Sequence, residues 1–564
     1  MEMVRGAEEP RLLPANRFWF ESQKEAILVK CSPFFVCLAS GNLQMETFRH
    51  YLSQDIHYLR SFVSAYEKAE EYADDDDTRA AIAKMRTAAT HDMKSFLFSV
   101  GEWGIDPNEE IPCNPATVKY TAFLTAITCG RIEGCVGNID TPFEKTRLPA
   151  YIVGAMAPYM RLNAFLWDDL VPLLMLCGDN NPYSLHLKNF SAAIVQDPAA
   201  KNEELLNKLC ASLTGEELDI VRKVYQKAMK LEIEFFLSQP LNQPSVVPLL
   251  RLHNTKDYFF FFADFDLTCT AVDSSALLAE IVIVNVPKYA KLSSEETSIQ
   301  PITTSMLRDA WLAISSQYVE EFERCIDGLL PAKGDGAFDL EDLYKRFEQL
   351  SEFEKRANTK VINSGLLRGV EVDDITSAGK NMKFFDGCPA FFQKLAGEKE
   401  RLNAHVYILS YCWCIDLVKS AFSSVRCLDH VTIHSNYLIY ENTMTTGGMV
   451  RRMETPMDKV KAFKTILTLS EGAKHFSVYV GDTVGDLLCL LEADVGIVVG
   501  SSPNLRKVVQ RCGISLVPLF QGLVSKQREL NENGSVSWNR RLGVLYSASC
   551  WPEIHAFLLG HDGL

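Results

Sequence analysis

The chain has 564 residues, 47% of them hydrophobic and 23% charged, and a formal net charge of −15. That length exceeds one ordinary core and implies two to four globular domains. The acidic balance repels nucleic acid and anionic membrane and excludes both as general partners, while a local basic pocket for a small phosphate ester stays open.

The amino terminus carries Glu2, Glu8 and Glu9. It has neither the apolar core of a signal peptide nor the acid-poor look of a transit peptide. The most apolar run, 258–263, is too short to cross a bilayer. The chain as it stands is expected to be cytoplasmic, with a mitochondrial location reserved for a longer form carrying a transit peptide. Sixteen cysteines are scattered, among them Cys129, Cys177 and Cys489 inside apolar runs. They read as reduced, buried thiols rather than zinc ligands, because no short spacing recurs.

Residues 17–239 follow a helical pattern. Residues 47–68 place Phe48, Tyr51, Leu52, Asp55, Tyr58, Leu59 and Phe62 on one face at spacings of three and four. Residues 214–237 open with T-x-E-E, a capping start, and line up Leu218, Val221, Val224, Met229 and Phe235. The acidic run 74–77 is expected to be a solvated loop, since it lacks the alternating ligands of a calcium loop. No strand is expected before residue 240, so this half reads as an all-α bundle. Pro240, Pro244 and Pro248 then mark an extended linker over 239–257.

Beyond the linker, short apolar runs at 258–263, 406–409, 476–480 and 495–499 alternate with helical stretches. This predicts a parallel α/β sheet. Between the first two strands lies a mostly helical segment of about 120 residues, too long for a crossover and expected to form an inserted cap over about 275–385.

Four predicted strand ends carry groups suited to phosphoryl transfer, and ligands of such sheets bind beyond the carboxyl ends of the strands. Asp264 and Asp266 lie two residues apart, so both point to one side. One can attack phosphorus while the other handles the leaving-group proton. Ser410 follows Ile408-Leu409 and offers a hydroxyl. In Thr455-Pro456-Met457-Asp458-Lys459 a lysine falls in the first turn of a helix, where its charge can offset that of a phosphoryl group, with Lys461 a rival. Gly481-Asp482 with Asp486 can place two carboxylates at one Mg²⁺. Each motif alone is weak, but their common order after predicted strands is not.

These motifs resemble the haloacid dehalogenase superfamily, whose signature runs D-x-D-x-T, Ser/Thr, Lys, G-D-x-x-x-D. The resemblance implies a Rossmann-like α/β domain with a helical cap and Mg²⁺-dependent phosphatase activity. It makes Asp264 the nucleophile and a metal ligand. Asp266 becomes the general acid/base and lends the metal its backbone carbonyl. Thr268 and Ser410 become positioning groups, Lys459 the charge stabiliser, and Asp482 and Asp486 the acidic metal partners.

In the first half, F-R-H-Y-L-S-Q-D-I-H-Y-L at 48–59 resembles a helix of TenA-like thiamin-salvage proteins, with further likeness at 120–124, 182–187 and 232–236. It implies a haem-oxygenase-like helical domain over 17–238 that binds an aminopyrimidine through Asp55, Tyr58 and Tyr183. Glu232, with Glu234 a rival, would act in proton transfer. Tyr159 and Asn163 stand where that family's usual Cys and Tyr stand, so thiol-based hydrolysis is not available. TenA-like domains self-associate, which implies a homo-oligomer. The fusion of this module to a phosphatase domain over 258–564 resembles the plant family of bifunctional thiamin monophosphate phosphatases. That resemblance implies hydrolysis of thiamin monophosphate, with pyrimidine salvage by the first half. Alternatives are another small phosphate such as a nucleotide or FMN, or a scaffold that binds thiamin compounds.

Overall fold

The computed structural model describes residues 12–107, 112–133, 141–175, 182–183, 192–292, 303–331, 338–470, 472–538 and 540–560. The acidic residues of the first eleven positions, Cys177 and the stretch 184–187 lie outside them. Two compact units emerge, one of Glu2–Pro248 with Leu523–Val536, the other of Leu249–Gly522 with Ser537–Leu564.

All regular elements described in the first unit are helices. Met45–Glu71 buries Phe48, Leu52, Asp55, Tyr58 and Phe62, the predicted face. Gly215–Leu237 starts at Thr214, whose side chain and that of Glu217 form the expected capping box. The acidic run is not a loop throughout. Asp75 caps the helix Asp76–Gly101 by accepting from Thr78 N at 2.7 Å, and Asp76 and Asp77 occupy its first turn. Carboxylates there meet the positive end of the helix dipole, a preference that outweighs the low helix propensity of aspartate.

The Pro-rich stretch is packed rather than free. His50 bonds Gln239 at 2.9 Å, Thr47 donates to Pro240 O at 2.6 Å, and Val246 and Val247 are buried. Gln527, from the returning segment, donates to Pro244 O at 3.0 Å and accepts from Val246 N at 2.9 Å. Proline removes backbone donors, and glutamine side chains supply partners for the groups that remain.

The second unit is built on a seven-stranded sheet, ordered β4-β3-β1-β7-β8-β10-β9. The ranges are β1 Tyr258–Ala263, β3 Ala404–Leu409, β4 Thr432–His434, β7 His475–Gly481, β8 Val495–Val499, β9 Ser515–Pro518 and β10 Val544–Ala548. All pairings are parallel. β1 reads Tyr-Phe-Phe-Phe-Phe-Ala because helices cover both of its faces. Phe262 packs 4.6 Å from Phe463 of the helix Pro456–Leu467, while Phe261 lies 4.8 Å from Phe391 on the other face. Fully burying each such ring contributes about 2–3 kcal/mol.

Between β1 and β3 lie the helices Ser274–Leu292, Thr304–Leu329, Leu340–Ser364 and Val372–Lys380, in the region expected for a cap. One feature was not legible. β2 (Arg368–Glu371), β5 (Tyr437–Glu441) and β6 (Met444–Val450) form a small antiparallel sheet in the order β2-β6-β5. The Thr- and Gly-rich β6 has no apolar alternation, and the hairpin turn is marked only by Asn442, left-handed at φ 56°.

Candidate active site

Strand order places the ends of β3, β1 and β7 side by side, where connections leave β1 in opposite directions, the expected crevice of such a sheet. Asp264 follows β1 and its N–H donates to Val480 O at 2.9 Å. It shares the strand parity of Phe262 and so faces the Pro456–Leu467 helix. Thr455 caps that helix, with Asp458 completing the box and Pro456 in its first turn. The next residue, Lys459, is thereby turned inward. It is 0% exposed, whereas the rival Lys461 is exposed.

Lys459 Nζ donates to Asp264 Oδ1 at 2.9 Å and to Asp486 Oδ1 at 2.8 Å. Ligand atoms of Asp264, Asp482 and Asp486 lie within 4.8 Å of one another, and all three residues are buried. Gly481 permits this approach, because a Cβ there would lie 2.6 Å from Asp486 Cγ. Thr268 donates to Asp482 Oδ1 at 2.8 Å, after Leu267 turns the chain through a left-handed φ of 57°. Asp266 accepts from Ser274 N at 2.7 Å and Ser274 Oγ at 2.8 Å. Ser410 is fully buried and its Oγ accepts from Cys412 N at 3.0 Å.

Burial governs the charge states. It pushes the Asp264 carboxyl up to about 7, against the pull of Lys459, and Asp482 up to about 8, helped by the Asp264 charge. Asp266 is held well above the usual carboxylate range by burial and by Asp273 and Asp264. Burial opposes the Lys459 charge, but Asp264 and Asp486 outweigh it and keep the ammonium above its usual range. One lysine does not offset the charge of Asp264 and Asp482 in this buried setting, and a divalent cation would let both ionise. The donors are all hard oxygens, which suits Mg²⁺ better than zinc.

Some participants carried no sequence signal. Tyr479 donates to Asp486 Oδ1 at 2.8 Å, and Thr483 holds Oδ2 through its N–H and hydroxyl. The ring of Tyr411 lies 3.9 Å from Lys459 Nζ, and its hydroxyl donates to Gly485 O at 2.9 Å. Gly485 makes room, since a Cβ there would lie 2.6 Å from that ring. Tyr411 directly follows the candidate Ser410, but its service to Lys459 depends on a distant helix.

In the helical unit Asp55, Tyr58, Tyr183 and Glu232 are all buried, and the rival Glu234 is at the surface, paired with Lys119 at 2.6 Å. Tyr159 donates to Asp55 Oδ1 at 2.8 Å, so the residue in the place of the family thiol engages the acid expected to bind a ligand. Burial lifts Asp55 to about 7 and Glu232 well above its usual range. Among the described residues, Glu232 Oε1 and the Tyr58 hydroxyl have no hydrogen-bond partner. Tyr58 stacks 4.5 Å from Tyr120. Tyr183 instead donates to Leu43 O and packs on Phe48 beside an apolar cavity that Tyr51, Asn163 and Trp167 also line. The structure thus unites Asp55 with Tyr159, and sets Tyr183 on the wall of that cavity.

The TENA/THI-4/PQQC family matches residues 27–131. The bifunctional TH2 protein, mitochondrial, of Arabidopsis thaliana is 47% identical over 554 residues, covering 97% of this chain and 89% of its own. Among solved structures, a TenA homologue from P. horikoshii OT3 aligns with 40% of this chain and 97% of its own at 16% identity and a TM-score of 0.33. A phospho-aspartyl intermediate analogue of phosphoserine phosphatase aligns with 45% and 90% at 16% identity and a TM-score of 0.27. This chain belongs to the family of the bifunctional TH2 protein, and its helical unit carries the TENA/THI-4/PQQC match ahead of the α/β unit.

Proposed function

We propose that the α/β unit is a Mg²⁺-dependent phosphomonoesterase that works through a phospho-enzyme on Asp264, and that its substrate is thiamin monophosphate. The observation that carries the reading is the buried trio Asp264, Asp482 and Asp486 sharing Lys459. Asp264 attacks phosphorus, and the bond from phosphorus to the ester oxygen breaks as Asp266 delivers its proton to that oxygen. Asp266, now ionised, takes a proton from a water that attacks the same phosphorus. Inorganic phosphate leaves and the Asp264 carboxylate is restored. Its raised affinity for protons suits Asp266 to the acid role. Lys459 holds Asp264 in place and offsets charge on the phosphoryl oxygens, while Thr268 orients Asp482 and Ser410 offers its hydroxyl at the β3 end. Mg²⁺, held by Asp264, Asp482, Asp486 and the Asp266 carbonyl, would neutralise the phosphate and polarise phosphorus.

Excess EDTA is expected to stop phosphate release from thiamin monophosphate and added Mg²⁺ to restore it. A screen of some thirty phosphate esters run alongside decides the substrate. Full activity in EDTA, or rescue by Zn²⁺ alone, contradicts the metal assignment. A preference for a nucleotide or FMN contradicts the thiamin assignment.

For the helical unit we propose an aminopyrimidine site built on Asp55, Tyr58 and Glu232, with the polar atoms left unpaired on Tyr58 and Glu232 as its support. The Tyr159–Asp55 bond favours a second reading, a binding scaffold without hydrolysis. Calorimetry on the full chain is expected to show binding of an aminomethylpyrimidine that weakens at least about tenfold in Asp55→Ala, the loss of a charge-assisted pair. No heat with the wild type, or equal binding by the variant, leaves the scaffold reading. No helix among the described residues is long and apolar enough to cross a membrane. The mitochondrial label of the Arabidopsis relative makes that organelle the compartment to test.

A further inference from the structure

The cap helices bring an acid and several aromatic rings to the mouth of the phosphatase site. Tyr318, on Thr304–Leu329, donates to Glu354 Oε1 at 3.0 Å, on Leu340–Ser364. One turn further along the same helix, Asn358 Oδ1 accepts from Trp413 Nε1 at 3.0 Å. Two turns before Tyr318, Trp311 meets Trp413 edge-on at 6.1 Å. Both helices therefore face the loop that follows Ser410.

The electrostatic neighbours of Glu354 agree with that contact. Its charge acts on Tyr411 together with those of Asp486 and Asp264. The Tyr411 ring sits 3.9 Å from Lys459 Nζ, which is 2.9 Å from Asp264 Oδ1. Tyr318 feels Glu354 and also Asp273, the residue before the Ser274 that holds Asp266. The geometry that anchors this placement is the Trp413–Asn358 bond, one turn from Glu354, which sets that turn of the helix beside the loop after Ser410.

Both side chains are open to solvent, Tyr318 at 37% exposure and Glu354 partly buried. Protein nevertheless crowds them enough to push the Glu354 carboxyl up to about 7. Accessible groups in a crowded setting describe the wall of a cleft. None of the described residues forms an ion pair with Glu354, whereas Lys360 of the same helix pairs with Glu321 at 2.9 Å. A carboxylate without a cation, bonded by the Tyr318 hydroxyl and one turn from the Asn358–Trp413 contact, suits a cationic aromatic group.

We propose that Glu354 and Tyr318 are specificity residues that recognise a positively charged heteroaromatic ring on the leaving group of the phosphate ester. The inference rests on the thiamin monophosphate reading and deepens it, because the thiazolium of that ester carries a permanent positive charge a two-carbon arm from the phosphate. A neutral ring, such as adenine or flavin, gives Glu354 no positive charge to pair with. Specificity then comes from the acid, and the rings exclude water around it.

The full-length wild type, Glu354→Gln and Tyr318→Ala are assayed on thiamin monophosphate, AMP and p-nitrophenyl phosphate. Glu354→Gln is expected to lower kcat/KM for thiamin monophosphate by about tenfold or more, mainly through KM, and to leave p-nitrophenyl phosphate within about twofold. Tyr318→Ala should show the same selective loss. If thiamin monophosphate is unaffected, or all esters fall together, recognition by Glu354 is overturned while the phosphatase reading stands. If the wild type hydrolyses AMP and not thiamin monophosphate, the thiamin reading falls and this inference with it.

Discussion

Asp264→Asn is expected to lower phosphatase turnover by at least about a thousandfold, because an amide cannot form the phospho-enzyme and the covalent route is lost outright. Folding should survive. The asparagine oxygen can still accept from Lys459 Nζ, now 2.9 Å from Asp264 Oδ1, and one of three crowded carboxylates is removed. The pair of measurements is phosphate release and thermal unfolding. Retention of more than about a tenth of wild-type turnover in a folded variant removes Asp264 from the nucleophile role.

Lys459→Met is expected to damage both activity and stability. The ammonium is fully enclosed and bonds Asp264 and Asp486 at 2.9 and 2.8 Å. Methionine matches the stem of lysine but leaves buried carboxylates with no cation. Breaking a buried pair from one side costs about 3–5 kcal/mol. Added Mg²⁺ should recover part of the lost melting temperature, since it supplies positive charge to the same acids. Lys459→Arg should not rescue turnover, because the planar guanidinium does not fit a space shaped for a compact ammonium against the Tyr411 ring. A Lys459→Met protein that melts like the wild type and keeps more than about a tenth of its turnover contradicts the central place of this lysine.

The four early strand assignments agree with β1, β3, β7 and β8 to within two residues at each end. They were legible because buried parallel strands need continuous apolar runs. β4, β9 and β10 were not, because Thr-Ile-His, Ser-Leu-Val-Pro and Val-Leu-Tyr-Ser-Ala offer no continuous apolar run. The return of Leu523–Val536 to the helical unit has no local signature either. It depends on Gln527 and Arg528 meeting backbone carbonyls such as Pro244 O and Leu173 O, hundreds of residues away in sequence.

What the sequence determined by itself is the chemistry available at each strand end. Asp264, Asp266, Ser410, Lys459, Asp482 and Asp486 were identifiable from residue type and order, since acids and a lysine beside apolar runs are costly unless used. Only the tertiary structure decided which groups meet. It chose Lys459 over Lys461 by turning one into the core, Glu232 over Glu234 by the phase of a helix, and gave Asp55 to Tyr159 rather than leaving it open. It also joined Tyr318 to Glu354 across two helices. Those outcomes depend on contacts across dozens to hundreds of residues, set by packing between elements, and no local pattern encodes the angle at which two helices present their side chains to one cleft.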